Sequence, residues 1–191
     1  SLEHTTDSVF ALTPDLRLSY VNPAYLHFGS ENGGQPVDVF TGIGAHVGES
    51  IAGPLRDFYL VAYQRIMDKG ERWDHEYECS SPTLFRRYVQ SVYPLQGGAG
   101  LVVVNHLVVE QAHGMPVADP DRERYLNRHG LIVQCSHCRC VQRQDVESQW
   151  DWVPAWVAHC PQQTTHSLCR PCFAYYCDFL LPTIDKAKQD K

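Results

Sequence analysis

Long apolar runs are missing from this chain. A typical one, Leu101–Val104, ends at once in Asn105 and His106. No segment approaches the roughly 20 apolar residues that a membrane-spanning helix needs, so no membrane role is expected. A basic excess is missing too. The formal net charge is −6 at pH 7, from 16 Lys and Arg against 22 Asp and Glu. The balance is uneven: residues 1–115 carry 13 acidic and 7 basic side chains, and residues 116–191 carry 9 of each. Phosphate neutralisation drives nucleic-acid affinity, so neither half is expected to bind nucleic acid. The N-terminus has no basic-then-apolar leader pattern. With eight cysteines, that reads as reduced thiols and metal ligands in a cytoplasmic protein. No Ser/His/Asp order, carboxylate pair or phosphate loop stands out, so no enzymatic activity is expected.

Cysteine is what the sequence does have. Cys135 and Cys138 lie in Cys-Ser-His-Cys, and Cys169 and Cys172 in Cys-Arg-Pro-Cys. Each pair can present two thiolates from one tight turn, and two such turns facing each other make a tetrahedral S4 site. Zn2+ suits that site, because it has no d-electron preference and takes soft ligands. Disulfides or free thiols are the alternative, and an iron–sulfur cluster would use the same ligands. His166, three residues before Cys169, is the best substitute ligand. Cys140, Cys160 and Cys177 read as small buried apolar residues, since one four-coordinate site satisfies the folding need. Haem attachment is disfavoured, because Arg139 and Phe173 follow the two pairs where a His would be required.

The first 110 residues read as mixed α/β with an antiparallel end. Ser8–Leu12 and Leu16–Val21 are strand candidates around a Thr13-Pro14-Asp15 turn. Asn22 and Pro23 fit the N-cap and first position of a short helix that ends near Asn32. Residues 54–68 make the clearest helix, with Leu55, Phe58, Ala62 and Ile66 on one face. Trp73–Cys79 alternates: Trp73, His75, Tyr77 and Cys79 point one way, and Asp74, Glu76 and Glu78 the other. Two more strands follow, over Leu84–Tyr93 and Leu101–Val109, and Met115–Asp121 reads as a linker. The expected domains are therefore 1–115 and 116–191.

The order β-β-α, irregular, α, β-β-β, with the segment Asp15–Ala24 containing Asn22-Pro23-Ala24, resembles a PAS domain over about residues 4–111. A narrower resemblance is to bacterial PAS-like proteins with a C-terminal Cys-x-x-Cys pair. Its marks here are Glu31–Gly34, Cys79–Pro82 with Arg86-Arg87, Cys135–Cys138, Trp150 or Trp152, and Thr165–Cys172. Cys140, in place of a basic or polar residue, and the extra thiols Cys160 and Cys177 depart from that pattern. The resemblance implies an α+β fold, a PAS-like antiparallel sheet with flanking helices, plus a small metal-binding module. It implies a signalling or regulatory protein that senses a small molecule or binds a protein partner or a second copy. The alternative is a thiol redox switch that releases zinc on oxidation.

Neither haem nor flavin is expected. The flavin motif Asn-Cys-Arg-Phe-Leu is absent, and residues 54–68 hold no His for haem. His27 and His46 lie earlier, where a hydrogen-bonded or surface role suits imidazole as well as ligation. Arg86 and Arg87 lie on opposite faces of one strand by the two-residue period, so one faces inward unless the strand bulges. A buried arginine needs a carboxylate or an anionic ligand. One reading has an arginine, with Asn32, forming the polar end of a pocket for an anion. The other has a salt bridge to an acidic residue such as Glu31.

Overall fold

The computed structural model describes residues 2–31, 42–146 and 148–176. The chain divides into two compact units: Ser1–Ile51 with Tyr59–His113, and Ala52–Phe58 with Gly114–Lys191.

The first unit is built on strands β1 (Ser8–Leu12), β2 (Leu18–Val21), β3 (Trp73–Glu78), β4 (Leu84–Pro94) and β5 (Leu101–Ala112). They form one sheet in the order β2-β1-β5-β4-β3, and every neighbouring pair is antiparallel. Helix α1 (Pro23–Glu31) follows β2, and helix α2 (Leu55–Lys69) precedes β3. This is the expected α+β, PAS-like architecture, an antiparallel sheet with flanking helices. Asn22 explains how the chain leaves β2. Its Oδ1 accepts from the Tyr25 N–H at 2.9 Å, capping α1, and also from the Val9 N–H at 2.9 Å. Its Nδ2 donates to the Asp7 and Leu2 carbonyls at 2.9 and 3.1 Å. The side chain is fully buried, and all its polar groups are used.

The alternation of β3 is as the sequence implies: His75 is buried, and Asp74 and Glu76 are exposed. Val9, Leu12, Tyr63, Val92, Leu101 and Val103 are the most deeply buried apolar side chains of this unit. The β4–β5 turn depends on Gly100, whose φ is +130° and where a Cβ would overlap the Leu12 carbonyl oxygen. The regular pairing slips at two places. The β1–β2 register shifts between Ala11 and Leu12, and the β4–β5 register shifts between Arg87 and Tyr88, where Val108 is the extra residue on β5.

The second unit has short elements: α3 (Arg122–Tyr125), β6 (Ile132–Cys135), β7 (Val141–Gln142), β8 (Trp150–Asp151), α4 (Pro154–Ala158) and β9 (Thr164–Ser167). Its sheet runs β8-β7-β6-β9, with β6 parallel to β9 and the other pairs antiparallel. Tyr125, Ile132, Val141, Val153 and Trp156 form one buried cluster. The Tyr125 and Trp156 rings meet edge-on at 5.3 Å, and the Tyr125 hydroxyl donates to Asp151 Oδ2 at 2.8 Å. Residues 115–121, expected to be a linker, pair in part with this unit: Val117 bridges Trp152, and the Ala118 N–H donates to the Trp152 carbonyl. No helix among the described residues is long and apolar enough to cross a membrane.

Candidate functional site

The parallel β6–β9 pairing places the two cysteine turns side by side. Strand β6 ends at Cys135, register partner of Ser167 at the end of β9. The Cys135 N–H donates to the Cys140 carbonyl at 2.8 Å, and the Arg139 N–H to the Cys135 carbonyl at 3.1 Å. Arg139 takes a φ of +60°, which closes the turn tightly. From β9 the chain passes to Cys169, where residues 170–176 become helical. The Phe173 N–H donates to the Cys169 carbonyl at 2.8 Å, and this first turn carries Cys172.

The Sγ atoms of Cys135, Cys138, Cys169 and Cys172 all lie within 4.8 Å of one another. Those of Cys138 and Cys169 are 3.7 Å apart. A tetrahedron with metal–sulfur arms of about 2.3 Å has edges of about 3.8 Å, so the four sulfurs are close enough together to hold one metal ion. The Cys169 N–H donates to Cys135 Sγ at 3.4 Å, a bond that favours the thiolate. Cys135, Cys169 and Cys172 are buried, with Trp150 and Leu168 packed against the group.

Electrostatics lead to the same chemistry. Hydrogen bonds from Cys138, Cys169 and Cys172 pull the Cys135 thiol far below its ordinary value. The Cys135 neighbour then pushes the other three thiols up. Four thiols this close cannot all ionise unless a cation sits among them. They can therefore bind a metal ion.

The nearby histidines and thiols stand apart from this group. His166 is outside the four-sulfur cluster, and burial holds its imidazole below the usual value. His137 Nδ1 is 2.8 Å from the Tyr176 hydroxyl. Cys140 is buried, as expected, with its thiol 3.9 Å from the Met115 sulfur. Cys160 differs from expectation: it is exposed in the loop after α4, where no core reaches it. Cys177 lies outside the described residues.

The first unit contains a cavity of about 480 Å³. Strands β1, β4 and β5 supply Phe10, Tyr88, Gln90 and Asn105, α1 supplies Tyr25 and Phe28, and α2 supplies Tyr59 and Tyr63. His46, Glu49 and Ser50 come from the segment before α2. One end is a buried amide relay. The Tyr63 hydroxyl donates to Gln90 Oε1 at 2.9 Å, and Gln90 Nε2 donates to Asn105 Oδ1 at 3.1 Å. The Tyr77 hydroxyl also donates to Asn105 Oδ1, at 3.1 Å. Burial raises the Tyr25 and Tyr63 phenols and takes Tyr88 to about 12, so these walls stay neutral.

Three of the four residues expected at a ligand pocket, Arg86, Arg87 and His27, lie outside this cavity. Arg86 Nε donates to Glu110 Oε2 at 2.8 Å with the side chain 14% exposed, and Arg87 Nε lies 3.7 Å from Glu76 Oε2. Neither lines the cavity. On β4 itself the alternation holds, since its pairing with β3 runs unbroken through Arg87 and Tyr88; Arg86 is the less exposed of the two, at 14% against 48%, and Glu110 matches its charge. His27 pairs with Glu31 on the exposed face of α1 and is also outside the lining. Asn32 lies outside the described residues. Gln90, Asn105 and the tyrosines carried a weaker sequence signal: Asn105 interrupts an apolar strand, and a buried amide there needs a partner.

No protein-family profile and no curated protein sequence matches this chain. Solved structures similar to it include a domain of an HTR-like protein from Haloarcula marismortui, at 17% identity and TM-score 0.41, covering 55% of this chain and all of that one. Another is the RpfR quorum-sensing receptor PAS domain from Cronobacter turicensis in complex with C12:0, at 9% identity and TM-score 0.42, covering 57% and 100%. A third is a PAS domain from Colwellia psychrerythraea, at 11% identity and TM-score 0.40, covering 56% and 90%.

Proposed function

We propose that this chain is a regulatory protein whose first unit senses a small molecule and whose second unit is a zinc-stapled module. The observation that carries the sensing role is the aromatic-lined cavity of about 480 Å³ with a buried amide pair at one end. Sites that bind small molecules are commonly of this size and composition, largely apolar with a few convergent polar groups. Zinc would be held by Cys135, Cys138, Cys169 and Cys172, whose mutual spacing suits one ion. A multi-iron cluster would force four sulfurs further apart than this. Such a closed four-thiolate site leaves no position for water, so the metal supplies folding energy and no catalysis.

The test is native mass spectrometry of the purified full chain, followed by a thermal-shift screen of mixed metabolites. One zinc per chain and a metabolite that raises the melting temperature are expected. If no compound moves the melting temperature, and a cavity-blocking Leu18→Trp variant melts like the parent, the sensing role is lost.

One placement favours a second reading. Cys140 is a buried free thiol two residues beyond Cys138, and its carbonyl accepts from the Cys135 N–H at 2.8 Å. In a redox switch, peroxide would take two electrons from a pair of thiols, forming a disulfide and water, and the zinc would leave. Zinc release by stoichiometric peroxide that Cys140→Ser abolishes would establish this reading. Equal release from both proteins would remove it.

A further inference from the structure

The chemistry of the cavity wall narrows what can occupy it, given the sensing role proposed above. Gln90 and Asn105 are 6% and 7% exposed, and both line the cavity. Their acceptors are taken: Gln90 Oε1 by Tyr63, and Asn105 Oδ1 by Gln90 and Tyr77. Their donors are not exhausted. Gln90 Nε2 spends one N–H on Asn105, and Asn105 Nδ2 spends one, at 3.4 Å, on the Ser8 carbonyl. Each amide keeps one N–H for a guest, so the buried end of the cavity donates hydrogen bonds. Burying such donors unpaired is costly, and a guest oxygen removes that cost.

Charge decides between kinds of oxygen. Among the described residues no Lys or Arg lines the cavity, the lining imidazole of His46 accepts the Gly48 N–H through Nδ1, and the lining carboxylate of Glu49 is exposed. A carboxylate guest at the amide end would lose its hydration with no Lys or Arg among the described lining residues to offset it. A cationic guest would find aromatic faces, but its charge would meet the positive ends of the amide dipoles, while Glu49 remains in water. A neutral carbonyl suffers neither penalty. The rest of the wall sets the guest's body. Phe28 and Tyr88 meet edge-on at 5.8 Å, Tyr77 stacks on Tyr88 at 5.4 Å, and Phe10 meets Tyr25 edge-on at 5.7 Å. Ring-lined walls of this kind take flat apolar groups.

We infer that the cavity binds a neutral, flat, apolar molecule through a carbonyl oxygen that accepts hydrogen bonds from Gln90 and Asn105. A matched probe series tests this on the intact, metal-loaded chain: 2-acetylnaphthalene, 2-ethylnaphthalene, 2-naphthoate and 2-naphthyltrimethylammonium, each titrated by calorimetry. The ketone should bind about tenfold tighter than the ethyl compound, the worth of one net hydrogen bond. Both ions should bind more weakly than the ketone. Asn105→Leu and Gln90→Leu should each shrink the ketone's advantage while leaving the ethyl compound bound.

The carbonyl 13C resonance of the bound ketone gives a second reading that needs no variant. It should move downfield, as an accepted hydrogen bond requires. Equal affinity of ketone and ethyl compound, an unshifted carbonyl, or tighter binding of either ion overturns the inference. So does failure of all four probes to bind. The metabolite screen uses no naphthalene, so it judges the sensing role separately.

Discussion

The two units differ in what holds them. In the first, strands of up to 12 residues pair along one antiparallel sheet, and Val9, Val92, Leu101 and Val103 are wholly buried in it. In the second, strands are 2 to 4 residues long, the apolar cluster has five members, and a separate buried cluster consists of sulfurs. Apolar burial contributes about 25 cal/mol per Å², and a small unit has too little of it to offset chain entropy. Under the zinc reading proposed above, a metal joining the two turns would supply the remainder. The same chain would then use two stabilising strategies, chosen by how much core each unit can make.

The largest expected effect breaks the second unit and spares the first. Structural zinc contributes on the order of 10 kcal/mol in small finger peptides. Replacing Cys169 with Ala, or stripping the metal with a chelator, should therefore expose the amides of Ile132 and Val141 to rapid hydrogen exchange. The amide of Val103 should remain protected. If Ile132 and Val141 stay protected in a metal-free Cys169→Ala chain, the second unit does not depend on its thiols.

The converse change is smaller. Leu12 is 1% exposed in the first unit. Leu12→Ala removes buried methyl groups and leaves a cavity, which should cost about 2–5 kcal/mol. Denaturant unfolding followed through the first unit would show it, and the zinc content should not change. Loss of zinc in this variant would mean that the two strategies are not separate.

Next comes Gly53, which belongs to the second unit. Its φ is +60°, and a Cβ there would lie 2.6 Å from Ser136 Oγ and 2.7 Å from His166 Cβ. Gly53→Ala combines a left-handed backbone with a clash beside the first cysteine turn. The expected cost is about 1–3 kcal/mol, read as weaker zinc retention in competition with a chelator. Retention equal to the parent would show that this turn can yield.

How much of this was legible in the sequence depended on whether the relevant contact was local. Asn22 before Pro23 announces a helix start, because a cap acts on the next three residues. The alternation in Trp73–Glu78 announces a half-buried strand, and two residues between paired cysteines announce a thiolate turn. Contacts set by distant pairing were not visible. The Arg86–Glu110 ion pair is set by β4 against β5, and neither Arg86 nor Arg87 lines the cavity. The Tyr63–Gln90–Asn105 relay joins a helix and two strands. The parallel β6–β9 pairing that brings the cysteine turns together links residues about thirty positions apart. Short elements such as α3 and α4 span too few residues to show a period.

The smallest effect sharpens the comparison by separating two causes of acid sensitivity in the second unit. Arg143 grips Asp145 with both nitrogens, Nε to Oδ1 at 2.8 Å and Nη2 to Oδ2 at 2.6 Å. Those hydrogen bonds, more than the accompanying charge attraction, pull the Asp145 carboxyl from 3.8 down to about 2. A carboxyl lowered on folding stabilises the fold above its unfolded value, and that contribution is lost as pH falls through the folded value. The window therefore runs from about pH 3.8 down to about 2, and because the pair lies at the surface its contribution is small. Titration of the Asp145 carboxyl carbon by NMR should give a midpoint near 2 in the parent, returning toward 3.8 in Arg143→Ala. Thiolate ligands take up protons and release their metal on acidification. If the second unit unfolds well above pH 3.8, and does so equally in Arg143→Ala, the sulfurs and not this ion pair set its acid limit. An acid midpoint that moves with Arg143→Ala would instead place a surface carboxylate alongside the metal in holding this unit together.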